Sequence, residues 1–429
     1  MMYHAMVLCI QIHHVSRDLS SAIEHDCIMP EKGKREHYMK RILFVLDNCF
    51  PFGTAAASRA RSLCQLFDLA GYKVHVICSR TMESNLNVDK VYKLPYCTYK
   101  ISTNKPATAI ASFVGTPALM KDVKKYFAEE RPDFVFAMNS LTFFRKLRRI
   151  CKQRKIKLIV EQNEWRDKSS FKFRELDYRY IHEEWLIKQE YKKADGILAI
   201  SRYFQNYYRN VGMNVVRIPT VLDVQNTSYS VHSKNRKIVL IYSGNPSTSK
   251  EYLAPVINVL ADYPQFREAF EFHIYGPDYN KVLKNIGGND NLLKSAEGCV
   301  FIHGKVKQEL MQDIMMSADF QIFLRPHRRS SEAGFPTKLG ESMAVGTPVI
   351  TNLTGDIGLY LEDGANGFLA DDMSSSSIKD VFDKILSTDE RKYSEMRKEA
   401  RRTAEKCFDF RCYCDEIKTI LGLEEKHEV

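Results

Sequence analysis

The chain has 429 residues, enough for two domains or three, and its 44% hydrophobic and 27% charged content is ordinary for a soluble globular protein. No apolar run approaches the ~20 residues that a membrane-spanning helix requires. The formal net charge of +10 raises the question of an anionic partner, but no nucleic-acid-binding motif accompanies it.

Residues 1–38 carry no periodic element. They lack the basic lead and long apolar core of a signal peptide, so a disordered extension is expected, with Met39 starting the folded part. Residues 42–46 (ILFVL) read as a strand. Residues 58–70 read as a helix with Leu63, Leu66, Phe67 and Ala70 on one face, ended by Gly71. Strands follow at 73–78 (KVHVIC), 134–137, 158–160 and 196–200. Alternation of this kind predicts a parallel, doubly wound sheet.

Basic residues concentrate at 145–157 (RKLRRICKQRKIK) and around 166–179. The first run overlaps a helical pattern with Leu141, Phe144, Leu147 and Cys151 on one face. It reads either as a solvated helix face or, beside Phe143 and Phe144, as an anionic-membrane contact at about 1 kcal/mol per well-placed Lys or Arg. Residues 220–236 are polar and patternless, as expected of an interdomain linker. A second α/β series then runs through 237–242 (KIVLIY), 270–275 (FEFHIY), 300–302, 319–324 (DFQIFL) and 349–350. The four Ser at 374–377 read as a structural loop. Eleven Cys without CxxC pairs point to reduced thiols in a cytoplasmic protein. Cys407, Cys412 and Cys414 lack the further His or Cys that a zinc site needs. The expected fold is α/β, with two Rossmann-like doubly wound domains at 39–225 and 226–405, and a terminal segment, 406–429.

The most informative stretch is 331–367, SEAGFPTKLGESMAVGTPVITNLTGDIGLYLEDGANG. It predicts a turn after the 319–324 strand, a short helix and another strand. Gly334 is expected to supply backbone freedom, Pro336 suits the first helical position, and Gly346 ends the helix. The helix N-terminus then sits at the carboxyl end of a parallel strand, where open α/β sheets bind ligands and exposed amides favour a diphosphate. Glu341 lies one turn into the helix, with Lys338 three residues earlier on the same face. Arg325, at the strand tip before His327, Arg328 and Arg329, reads equally as a site cation or as part of a solvated basic loop.

The stretch resembles the donor-binding motif of retaining GT-B glycosyltransferases of family four, where Glu-Gly-Phe is followed by a second Glu, with seven residues between the two Glu. Gly334-Phe335-Pro336, Glu341, Met343-Ala344, Gly346 and Pro348-Val349-Ile350 match. The first Glu position falls on Ala333, with Glu332 one residue early. The resemblance covers nearly all of 39–421 and implies a cleft between the two sheets. It also implies a terminal segment, 406–429, that packs back on the N-terminal domain. Around Gly334, Phe335, Pro336, Thr337, Lys338 and Glu341 it implies donor binding. It adds the turn at Gly53 and Thr54 and the turn at Gly244 and Asn245, where Asn245 stands in place of a usual Arg.

Lys250 matches the family's diphosphate Lys, although Pro255 also offers a helix start. With Arg325 and Glu341 it forms the expected catalytic set. Asn139 stands where a His is common and, with Glu164 and Asp167, lies on the implied acceptor side. The implied activity is transfer of a sugar from a nucleotide-diphosphate sugar to a glycan or lipid-linked glycan, in surface polysaccharide assembly. No metal or other cofactor is expected, and no nucleic-acid partner. The alternatives are a non-catalytic glycan- or partner-binding subunit, for which Ala333, Asn245 and Asn139 argue, and a sugar-nucleotide epimerase.

Overall fold

The computed structural model describes residues 39–82, 86–88, 90–103, 117–138, 141–246 and 250–422. The 1–38 extension and Asn139 lie outside the described residues. The first sheet has eight strands in the order β3-β4-β2-β1-β5-β6-β7-β8. They are β1 (Arg41–Cys49), β2 (Lys73–Arg80), β3 (Val91–Leu94), β4 (Cys97–Ile101), β5 (Phe134–Met138), β6 (Lys157–Gln162), β7 (Gly196–Ala199) and β8 (Val215–Arg217). All pairs are parallel except β3 with β4. The central strand β1 is buried on both faces from Ile42 to Leu46, as a parallel strand sandwiched by helices must be.

The second sheet has six strands in the order β11-β10-β9-β12-β13-β14, all parallel. These are β9 (Ile238–Ser243), β10 (Phe270–Tyr275), β11 (Val300–Gly304), β12 (Phe320–Ile322), β13 (Val349–Asn352) and β14 (Gly367–Ala370). Strand order reverses beside β1 in the first sheet and beside β9 in the second, which creates a crevice at the carboxyl ends of each. This is the GT-B architecture of two parallel-sheet α/β domains.

The chain crosses between the sheets twice, and the crossings lie side by side. Leu222 donates its amide to the Phe408 carbonyl, and Phe410 donates back to Leu222. Arg401 pins the first crossing by donating to the carbonyls of Val224 and Thr227. The helix Cys414–Leu421 then lies on the first sheet, where Lys157 Nζ donates to the Leu421 carbonyl at 3.0 Å. Among the described residues, no helix is long and apolar enough to cross a membrane.

Strand β12 is shorter than the 319–324 expected. Its end is redirected at Leu324, which accepts the Tyr252 amide, and at Arg325, whose amide donates to Asn352 Oδ1 at 2.8 Å. Helix 141–154 buries Phe143 and Phe144 with Leu147 and Cys151, so those aromatics are core and not a membrane contact.

Candidate functional site

A cleft of about 1290 Å³ opens between the carboxyl edges of the two sheets. Its floor on the second domain is the turn after β12. There Arg329–Ala333 forms one helical turn, the chain passes Gly334, Phe335 and Pro336, and the helix Thr337–Ala344 begins. Pro336 is the residue before the first helical turn, one position earlier than expected. Gly334 is also corrected. Its φ of −88° is open to any residue, and what demands glycine is space, because a Cβ would lie 2.9 Å from the Ser330 carbonyl. Phe335 is mostly buried, edge-on to Tyr360 at 5.4 Å, and fixes the floor against the second crossing. Gly346 follows the helix at φ +77°.

Glu341 is half-buried and lines the cleft. Burial pushes its carboxyl up from the ordinary value, against the opposing charges of Lys338 and Arg61. It accepts no hydrogen bond among the described residues. Arg325 reaches the same cavity while 8% exposed. Its Nη1 donates to the Ser331 carbonyl at 3.2 Å and to Thr354 Oγ1 at 3.4 Å, yet it meets no carboxylate within ion-pair distance among the described residues. Burial pulls the guanidinium down from its ordinary value, while Glu251 and Glu332 push it back up. The solvated-loop alternative for Arg325 is therefore excluded. A buried cation without a counter-ion and a carboxylate without a donor face one cavity, a costly arrangement until a ligand supplies both partners.

Lys338, expected among the donor-binding residues, is already held in an ion pair. Its Nζ donates to Glu251 Oε2 at 2.5 Å and lies 4.3 Å from the centre of the Tyr242 ring. Tyr242 Oη donates to the same carboxylate oxygen at 2.5 Å. Burial raises the Glu251 carboxyl, but Lys338, the Tyr242 hydroxyl and Arg325 outweigh it and hold the group below its ordinary value. Gly244, at φ +147°, passes so close that a Cβ would stand 2.9 Å from Lys338 Nζ. Gly244 and Asn245 thus form the cleft wall directly against this ion pair, with Thr337 and Lys338 beside them.

Lys250 precedes the helix Ala254–Asp262, which settles the helix start in favour of the Pro255 turn. Its Nζ pairs with Glu164 Oε1 at 2.7 Å across the cleft, both side chains remaining partly exposed. Glu164 therefore lines the cavity. Asp167 does not: it caps a short helical turn by accepting the Ser169 amide at 2.9 Å. Gly53 and Thr54 line the first-domain wall, where Thr54 Oγ1 accepts the Ala57 amide at 3.1 Å and starts the helix Ala55–Leu69. The sequence reading missed Glu251, Tyr242 and Arg61. Glu251 adjoins Lys250 and Tyr242 is the penultimate residue of β9, but nothing local to either announces their shared proximity to Lys338. Among the described residues, no three His, Cys, Asp or Glu side chains are grouped so as to hold a metal ion.

Two family models match the sequence and meet inside the first crossing. Residues 225–404 match "Glycosyl transferases group 1", and residues 56–226 match "Glycosyltransferase Family 4". This chain is a group 1 glycosyltransferase. No curated protein matches the sequence. Among solved structures, this glycosyltransferase is similar to a sucrose-phosphate synthase from Thermosynechococcus elongatus. Identity is 14% and the TM-score 0.69, over 89% of this chain and 98% of that one. It is also similar to Anabaena HepE in complex with UDP and glucose, at 17% identity and TM-score 0.64, over 90% and 100% of the two chains. The lipopolysaccharide outer core galactosyltransferase WaaB is a further likeness, at 15% identity and TM-score 0.57, over 89% and 99%. At such identities these likenesses concern the fold. The activity class, a transferase of glycosyl groups, follows from the family.

Proposed function

We propose that this glycosyltransferase moves a sugar, with retention of anomeric configuration, from a nucleoside-diphosphate sugar to a hydroxyl of a glycan or lipid-linked glycan, in surface polysaccharide assembly at the cytoplasmic face of a membrane. The observation that carries the reading is that one cavity is lined both by the Glu341 carboxylate, which has no donor, and by the buried Arg325 guanidinium, which has no carboxylate within ion-pair distance among the described residues. A nucleoside diphosphate supplies what each lacks: ribose hydroxyls to donate to Glu341, and phosphate oxygens to accept from Arg325. The Thr337 and Lys338 amides that open the Thr337–Ala344 helix add donors for the phosphates. Lys250 is within reach of the same charge once it leaves Glu164, which frees Glu164 to accept from the acceptor sugar. Gly53 and Thr54 close the site from the first domain, and Asn245 offers an amide beside Gly244. Asn139 keeps its proposed place on the acceptor side.

In this reading the bond from the anomeric carbon to the diphosphate oxygen breaks as the acceptor oxygen bonds to the same face. The acceptor proton ends on the departing diphosphate. The transition state is oxocarbenium-like, and the protein acts by positioning and by stabilising the departing charge through Arg325, Lys250 and helix amides. No metal takes part. UDP-sugars are the first donors to try, because HepE is described in complex with UDP and with UDP-glucose.

The test is a nucleotide-sugar binding screen followed by release of nucleoside diphosphate with and without a glycan acceptor. Acceptor-dependent release of a product with retained configuration is the expected result. Release that ignores the acceptor would make the protein an epimerase or hydrolase. Binding without release would make it a non-catalytic subunit.

A further inference from the structure

The helix Tyr178–Trp185 is inverted relative to an ordinary surface helix. Its carboxylates point inward. Glu183 accepts from the backbone amide and Nε of Arg166, both at 2.6 Å, and Glu184 Oε1 accepts from Trp165 Nε1 at 2.7 Å and pairs with Arg329 at 2.6 Å. Its apolar residues point out, and no residue of the helix is fully buried. Ile181 is 52% exposed and Trp185 50%; with Tyr178 they stand at i, i+3 and i+7, one face of the helix. The preceding turn extends the face with Phe173, 64% exposed, and Leu176, 85% exposed. So many large apolar side chains in thirteen consecutive residues exceed the scattered exposure normal for a protein in water.

We propose that this face docks onto an anionic lipid bilayer. The choice of occupant rests on the charge around it. Helix Leu141–Arg154 carries six Lys and Arg and no acid, and its Arg145 guanidinium lies 6.0 Å from the Trp185 ring centre. Glu190 takes Arg145 and Arg148, but Lys146, Arg149 and Lys152 are exposed and form no ion pair among the described residues. Lys172 and Arg174 flank Phe173 in the same way. The acids within the face are already neutralised, Glu175 by Lys168 and Asp177 by Arg179. Apolar side chains that enter the headgroup boundary, flanked by the unpaired Lys172 and Arg174 and adjoining a helix rich in Lys and Arg, match a negatively charged membrane surface.

The face is also tied to the cleft. Trp165 and Arg329, which hold Glu184, sit next to Glu164 and Ser330, both on the cavity wall. A bilayer at this face brings a lipid-linked acceptor to the Glu164 edge. This purpose rests on the acceptor reading above, whereas the docking itself does not.

The experiment uses the full chain and sedimentation with vesicles of phosphatidylcholine, with and without phosphatidylglycerol, at low and high salt. The wild type is expected to sediment with the phosphatidylglycerol vesicles and to do so less as salt rises. The Leu176→Ser, Ile181→Ser, Trp185→Ser triple variant, and separately Lys146→Glu, Arg149→Glu, Lys152→Glu, are each expected to weaken vesicle binding at least tenfold. UDP affinity and melting temperature are expected to stay at the wild-type level, which separates loss of docking from loss of fold.

Failure of the wild type to sediment at low salt, or equal binding by the apolar triple variant, overturns the proposal. Lipid-independent self-association that the same variant abolishes also overturns it, in favour of a contact between copies of the chain. Vesicle binding without transfer to any lipid-linked acceptor would count against the acceptor reading and leave the docking surface standing.

Discussion

Glu341→Gln tests the site most directly. The Glu341 carboxyl is pushed up by burial and has no hydrogen-bond donor among the described residues. A folded-state value raised above the unfolded one means that the native state binds the proton more tightly. Stability therefore falls as pH rises through that interval. Gln removes this cost, so the unliganded variant is expected to melt no lower than wild type at neutral pH. Binding goes the other way. A ribose donating two hydroxyls to a carboxylate gains charge-assisted bonds of about 1.5–3 kcal/mol each, of which a neutral amide oxygen recovers a part. The net loss is about 2 kcal/mol, or roughly 30-fold in Kd. Titration calorimetry with UDP measures it, and the wild-type affinity is expected to rise with pH until Glu341 is ionised, while the variant loses that dependence. Unchanged UDP and donor affinity in a folded Gln variant would refute the assignment.

Four further outcomes follow from the same geometry. Lys250→Ala is expected to cut turnover while leaving the melting temperature within a degree or two, since its exposed pair with Glu164 is worth ~0.5 kcal/mol at most; early melting with full activity of the folded fraction would make Lys250 structural. Glu251→Gln strands the buried Lys338 ammonium and should cost about 3 kcal/mol in denaturant unfolding, part of it recovered by added UDP; a variant as stable as wild type contradicts the pairing. Gly334→Ala forces a Cβ against the Ser330 carbonyl and is expected to weaken donor binding about tenfold, with an unchanged Kd arguing that the turn shifts freely. Exhaustive chelation with EDTA should leave transfer unaffected, and a loss restored by Mg²⁺ or Mn²⁺ would require a metal in the mechanism.

The fold was largely legible because its signals are local. Runs such as ILFVL and FEFHIY are buried strands by composition alone, and their alternation with helices dictates parallel pairing. The position of Glu341 was legible for the same reason: strand, turn and helix are contiguous in sequence. Lys338 shows where this stops. Spacing placed it on one face with Glu341, but its actual partner, Glu251, lies 87 residues away. Only the stacking of β9 beside β12 brings Tyr242, Glu251 and Lys338 together. Asp167 and Glu164 differ by three residues and diverge in role, because a local backbone amide captures one carboxylate while the other spans the cleft to Lys250. The outward apolar face at 173–185 was hidden by its composition, where alternating charge and aromatic residues read as an ordinary basic surface.

The helix Cys414–Leu421 has a bearing on how the protein is made. Ile417, Ile420 and Leu421 share one apolar core with Val216 and Ile218 of the first sheet, and Ile420 fits against Gly196 so closely that a Cβ there would stand 3.0 Å away. Synthesis runs from the amino end, so the first sheet emerges from the ribosome with that groove uncovered and waits some two hundred residues for its lid. Until the terminal helix arrives, β7 and β8 present bare aliphatic surface to the cell, and a nascent chain paused in the second domain is the species that a chaperone has most reason to hold.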